Sequence, residues 1–149
     1  MSSTGLFLIA HAPLASALAA VAKHVYPDCA PRLLVLDVSA GMTPAQVEAQ
    51  ARALLVSAPH DEFLVLTDVF GATPCNVAER LTDRRRLRVV AGVNVPMLWR
   101  TLCYSDESVD RLADRALAGA TQGVMPVDSR PPRFQEPRFG HAQDHRHDQ

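Results

Sequence analysis

The chain has 149 residues, enough for one domain with a buried core. Its 15 Lys and Arg against 16 Asp and Glu leave no basic excess for nucleic acid or an acidic membrane, and aromatics at 5% are too few for base-stacking platforms. Three scattered cysteines, Cys29, Cys75 and Cys103, with no CxxC pair, read as reduced thiols rather than a disulfide framework.

The opening run GLFLIAHAPLASALAAVA has no Lys or Arg before Lys23 and is interrupted by His11 and Pro13. It reads as a strand, a loop and a helix, not as a signal peptide. No apolar run is long enough to span a bilayer. The first strand, residues 6–10, ends on His11. A helix follows over Leu14–Val25, with apolar positions at Leu14, Leu18, Val21 and Val25. Residues 33–36 form a second strand that runs into Asp37. Thr43 and Pro44 then supply an N-cap and a first-turn proline for a helix over Pro44–Ser57, with Val47, Ala51, Leu54 and Leu55 on one face.

A third strand, residues 63–67, ends on Asp68. The small-residue turn Gly71-Ala72-Thr73 follows, and a helix over 73–81 repeats the Thr-Pro start. The run Arg84-Arg85-Arg86 reads as an exposed turn before a fourth strand at 87–91. Two more helices are expected, one over 95–104 and one ending near Ala120 that either Ser105 or Ser108 can cap. Residues 123–127 are a candidate fifth strand. From Asp128 on, the chain is rich in Pro, Arg, His and Asp and has too few aliphatics to offset its ordering entropy, so a disordered tail is expected over 128–149 after a domain over 1–127. Short, wholly apolar strands alternating with helices predict an α/β domain with a mostly parallel sheet and no internal repeat.

Neither a Walker A motif nor a GxGxxG after a strand is present, and no serine sits in a nucleophile elbow. What remains is His11 and Asp68, each at the carboxyl end of a strand, where ligands bind open α/β sheets. A histidine can carry a phosphoryl group if one ring nitrogen keeps a free lone pair while a carboxylate accepts the N–H of the other. Asp68 suits that role. The first N–H groups of the helix near Thr73, with Gly71 and Ala72, suit an arriving phosphate. Each feature alone has a plain structural reading, and together they reach only as far as an anion-binding α/β domain.

Three blocks carry a likeness to a family. GLFLIAHAPLASAL, FLVLTDVFGATPCNVA and VVAGVNVPML resemble, in that order, segments of the enzyme IIA component of the mannose-type sugar phosphotransferase system. His11 matches the family's phosphorylated histidine; Asp68, Gly71, Thr73, Pro74 and Asn76 match its second block. The resemblance implies a doubly wound α/β sandwich with helices on both faces and a homodimer that exchanges a C-terminal strand, here residues 123–127. It also implies a cytoplasmic phosphotransferase component with no cofactor. His11 would accept a phosphoryl group from the phosphocarrier HPr, with Asp68 as its hydrogen-bond partner, and a IIB partner would receive it. Ala10, Ala12 and Ala72 depart from residues common in sugar-transporting members, which bears on the phosphate donors rather than on the histidine. No IIB block follows, so a stand-alone IIA unit is expected, serving either transport or regulation. Two further readings are a IIA-like phosphotransfer subunit of a dihydroxyacetone kinase and a phosphorylation-dependent protein-binding regulator. A small-molecule binder without phosphotransfer would leave His11 and Asp68 coincidental.

Asn94, Pro96 and Met97 can line a pocket or partner rim, or else cap and pack the helix that follows. Leu98 and Trp99 read as packing, with an apolar rim for a docking protein as the alternative. His24 and His60 read as solvated. His141, His145 and His147 are too loosely spaced for a metal site, and no metal is expected.

Overall fold

The computed structural model describes residues 3–83 and 86–128. Four strands carry the fold: β1 (Thr4–His11), β2 (Leu34–Val38), β3 (Glu62–Thr67) and β4 (Arg86–Ala91). Five helices separate and follow them: α1 (Leu14–Val25), α2 (Pro44–Ser57), α3 (Thr73–Arg80), α4 (Val95–Thr101) and α5 (Val109–Gln122). All pairings are parallel and the sheet order is β2-β1-β3-β4.

The two central strands are apolar on both faces because both faces are covered. Leu6, Leu8 and Ala10 of β1 and Leu64 and Leu66 of β3 pack against α1, α4 and α5. Phe7 and Ile9 of β1 and Phe63 and Val65 of β3 pack against α2 and α3. Successive strand residues point to opposite sides, so a run of hydrophobics feeds two cores at once. This is the doubly wound α/β architecture.

The sheet order contains a reversal. From β1 the chain moves outward to β2, then crosses back to lay β3 on the other side of β1. The carboxyl ends of β1 and β3 therefore flank the topological switch point, which opens a crevice above the sheet. His11 is the last residue of β1 and Asp68 directly follows β3.

Helix starts follow local chemistry. Thr43 accepts from the Gln46 N–H while the Gln46 side chain accepts from the Thr43 N–H, a reciprocal capping box before α2. Ser108, not Ser105, caps α5. Ser105 is held elsewhere, because its carbonyl accepts the Thr4 N–H at 2.8 Å.

Several sequence expectations need correction. The buried stripe of α1 is Ala15, Leu18 and Ala22, while Leu14, Val21 and Val25 are exposed. Small alanines bring the helix close to the sheet, so side-chain size, not hydrophobicity alone, chose the face. Residues 123–127 form no strand within the chain, and Val124, Met125 and Val127 are exposed. Cys29 and Cys103 are joined in a disulfide, with Cα atoms 5.5 Å apart; only Cys75 is free, buried in α3. The two bonded cysteines follow α1 and α4, which pack side by side, a proximity that 74 residues of separation conceal from the sequence. His60 is half-buried rather than solvated: its Nδ1 lies 2.9 Å from the Ser3 hydroxyl and its ring packs edge-on to Phe63. Arg86 opens β4 and ion-pairs with Glu62 and Asp110, so it is part of a strand and not a free turn. Arg84, Arg85 and the tail from residue 129, with its three histidines, lie outside the described residues.

Leu8 is fully buried in the centre of β1. Leu8→Ala should cost about 3 kcal/mol of unfolding free energy, the usual range for emptying a packed core position, as read by urea denaturation.

Candidate functional site

The centre of the site is one carboxylate and one imidazole on neighbouring strand ends. Asp68 Oδ2 lies 2.7 Å from His11 Nδ1 and also accepts the His11 backbone N–H at 3.0 Å. Asp68 Oδ1 accepts the Val69 N–H at 2.9 Å. The carboxylate thus fixes both the ring and the backbone of His11. Asp68 itself is nearly covered, whereas the His11 side chain is 53% exposed. An ionised carboxylate only accepts, so in the neutral ring the proton sits on Nδ1 and the lone pair on Nε2.

Burial of Asp68 favours its neutral form. Hydrogen bonds from the His11 N–H, the His11 ring and the Val69 N–H, together with the charge His11 can carry, outweigh that burial and hold the carboxyl below its ordinary value of 3.8.

The backbone around Asp68 is anchored from the neighbouring strand. Gly92, just past β4, adopts φ +85°, a left-handed conformation that favours glycine, and its N–H donates to the Asp68 carbonyl at 3.0 Å. The Val93 N–H donates to the Thr67 carbonyl at 2.9 Å. The Gly-Val-Asn segment therefore braces the end of β3. On the other side, Gly71 adopts φ +82° in open space, and the Asn76 amide donates to the Gly71 carbonyl at 3.1 Å.

Gly71, Ala72 and Thr73 form the turn into α3. The N-cap of α3 is Ala72, with Thr73 at the first helical position and Pro74 at the second. Thr73 is therefore not the cap that the Thr-Pro pattern suggested, and no side chain caps this helix start. Such a terminus retains donor N–H groups and the positive end of the helix dipole.

The proposed rim residues resolve differently. Asn94 caps α4: its Oδ1 accepts the Met97 N–H at 2.8 Å, and its amide donates to the Ala120 carbonyl at 3.3 Å. Pro96 packs beneath α5, where a Cβ on Gly123 would fall 2.3 Å from the Pro96 Cβ. Met97 and Leu98 are fully buried, so they belong to the core and not to a rim. Trp99 packs edge-on against Tyr26 at 5.3 Å. The apolar display beside the site is instead Val69 and Phe70, which are 57% and 80% exposed. Two large apolar residues between a strand-end acid and a turn glycine were the available signal. Asp37 at the end of β2 is a second residue the sequence reading passed over: it accepts the Ser16 N–H at 3.0 Å and caps the first turn of α1, which leads away from His11.

A concave surface of about 450 Å³, lined in part by Ser3, Arg32, Ser57 and His60, lies at the opposite end of the strands.

The family model described as PTS system fructose IIA component matches residues 5–117. The chain belongs to this mannose-type IIA family. A mannose/sorbose-specific IIA subunit from Enterococcus faecalis superposes with a TM-score of 0.76 at 28% identity, covering 88% of this chain and 98% of that one. A phosphotransferase system component EIIA from Streptococcus agalactiae superposes with a TM-score of 0.75 over 83% of this chain and 96% of that one; at 23% identity it speaks for the fold. The mannose-specific EIIAB component of Escherichia coli K12 is 38% identical over 71 residues, which is 46% of this chain and 22% of that protein. The chain thus spans about a fifth of the length of the curated relatives it matches. No helix among the described residues is long and apolar enough to cross a membrane.

The lowered pKa of Asp68 sets a pH signature. The native carboxyl releases its proton more readily than the unfolded one, so its contribution to stability is fully present above about pH 4 and fades as pH falls through the native value. Asp68→Asn should therefore be less stable than the parent at pH 7, with the gap narrowing below pH 4 in urea titrations. A gap constant from pH 7 to pH 3 would remove the ionised carboxylate as its source.

Proposed function

We propose that this IIA component is a phosphoryl carrier that accepts the group on His11 from phospho-HPr. It then passes the group to a IIB-type acceptor or holds it as a regulatory signal. The observation that carries this reading is the 2.7 Å contact between Asp68 Oδ2 and His11 Nδ1 beside an exposed imidazole. The free Nε2 lone pair attacks the phosphorus of the donor phosphohistidine. A new P–N bond forms as the donor's P–N bond breaks, and the departing nitrogen keeps the electron pair. Asp68 stabilises the positive ring that results, as a carboxylate does for an imidazolium in a catalytic triad. Backbone donors at Gly71 and Thr73, with the Thr73 hydroxyl, face the phosphoryl oxygens in this reading, and the Ala72 N–H joins them by leaving the Val69 carbonyl, to which it donates at 3.4 Å. Positioning and charge stabilisation supply most of the rate in phosphoryl transfer, which suits so small a constellation.

Val69 and Phe70 would lie against whichever carrier delivers the group, since a donor histidine must approach within bonding reach of the neighbouring His11. A carrier that meets HPr works where HPr does, so we place the chain in the cytoplasm. We also infer a homodimer that exchanges residues 123–127. β4 has a neighbour on one side only, and Val124, Met125 and Val127 are exposed beyond α5. An open strand edge and an unpaired apolar segment each gain hydrogen bonds and burial from a second copy.

Phosphoenolpyruvate, enzyme I and HPr should add a single acid-labile phosphate to the protein, read by intact mass. His11→Ala should take up none; full labelling of that variant would sink the assignment. Asp68→Asn should slow labelling about tenfold or more with the fold retained, because the ring then loses its fixed tautomer. Light scattering should report a dimer for the full chain and a monomer for a chain truncated after Gln122; a dimer in both would place the interface elsewhere.

A further inference from the structure

The bond between Cys29 and Cys103 lies at the far end of the sheet from His11, beside the start of β1, roughly 20 Å away along that strand. We propose that this pair is a reversible redox centre that exchanges with small-molecule thiols and disulfides such as glutathione, independently of the phosphoryl chemistry.

Accessibility is the first argument. Cys103 is exposed and Cys29 half-buried, so a thiolate from solution can reach the bridge. Accessible disulfides are the exchangeable ones. The second argument is isolation. The remaining cysteine, Cys75, is 2% exposed in α3, so exchange has two clean end states and no third thiol to trap it.

The third argument is that the bridged segments are held without the bond. Tyr26, three residues before Cys29, packs on Trp99 of α4. Thr101 is buried and its hydroxyl donates to the Met97 carbonyl at 3.1 Å. The Thr4 N–H holds Ser105 at 2.8 Å, and the Thr4 hydroxyl donates to the Glu107 carbonyl at 2.7 Å. Arg115 lies over the Tyr104 ring and pairs with Glu107. Opening the bridge therefore loosens two loops without releasing the helices that carry them. The bond spans 74 residues, so closing it restricts the unfolded chain strongly, and the two redox forms should differ in melting temperature.

The chemistry balances without a cofactor. In oxidation, the exposed Cys103 thiolate attacks oxidised glutathione, forming a mixed disulfide and releasing one glutathione thiolate. Cys29 then displaces the second, so the pair loses two electrons and two protons while one glutathione disulfide becomes two thiols. Reduction runs the same steps in reverse.

The test is an alkylation count on the full chain. Native protein is equilibrated in glutathione buffers from fully reduced to mostly oxidised, quenched with acid, denatured, alkylated and weighed. The three cysteines predict three alkyl groups at the reduced end and one, on Cys75, at the oxidised end. The change should be a single two-electron transition. Far-UV circular dichroism should match at both ends, with melting about 10 °C lower when reduced. Cys29→Ser in oxidising buffer should acquire one glutathione on Cys103 and none on Cys75. A count fixed at one in folded protein under full reduction would mark an inert staple. A count fixed at three under oxidation, or loss of helical signal on reduction, would equally overturn the proposal. The readout is independent of His11, so failure of the phosphoryl reading leaves it unaffected.

Discussion

The site depends on a carboxylate that takes three hydrogen bonds from two strand ends. Asp68 receives the backbone and the ring of His11 and the N–H of Val69. Those donors outweigh the burial of the carboxyl, which on its own would push its pKa up. The donors in turn require β1 and β3 to be adjacent and parallel with their carboxyl ends level. The register pairs Ile9 with Thr67, which sets His11 and Asp68 just beyond the last matched residues. Sheet order, strand length and site chemistry are thus a single constraint.

The braces around this centre come from parts of the chain that look unrelated in sequence. Gly92 and Val93 reach across from the end of β4 to hold the carbonyls of Asp68 and Thr67. Asp37 holds the first turn of α1 from the end of β2. Each of the four strand ends therefore contributes to one surface. Two act on the histidine directly, and two fix the backbone that follows.

Much of this was legible because burial on both faces leaves an unmistakable mark. The apolar runs of β1 and β3, each ending on a polar residue, gave the strands and placed His11 and Asp68 together. The α2 cap was legible from Thr43 and Pro44. What failed involved partners distant in sequence or questions of size. The Cys29–Cys103 bond depends on α1 and α4 packing side by side. The choice of Ala15 and Ala22 over Val21 and Val25 as the buried stripe of α1 depends on how closely helix and sheet approach. The α3 start at Thr73 was legible, but its cap was not, because Ala72, with no side chain to cap, takes the position that Thr43 holds before α2. The choice between rim and core for Met97 stayed open in the sequence, because hydrophobicity cannot tell which face of a short helix looks inward, and burial settles it as core.

The turn at residues 68–71 is anchored at both ends, by the Gly92 and Val69 N–H groups at Asp68 and by the Asn76 amide at Gly71. Only the side chains of Val69 and Phe70 between them are unencumbered by packing. Such an arrangement separates the hydrogen-bonded His11–Asp68 pair from the exposed apolar surface beside it. Exchanging the two side chains leaves every hydrogen bond to the carboxylate in place, because all those bonds use backbone atoms or His11. Substitutions at these two positions therefore change the apolar surface beside His11 while the hydrogen bonds between Asp68 and His11 stay in place.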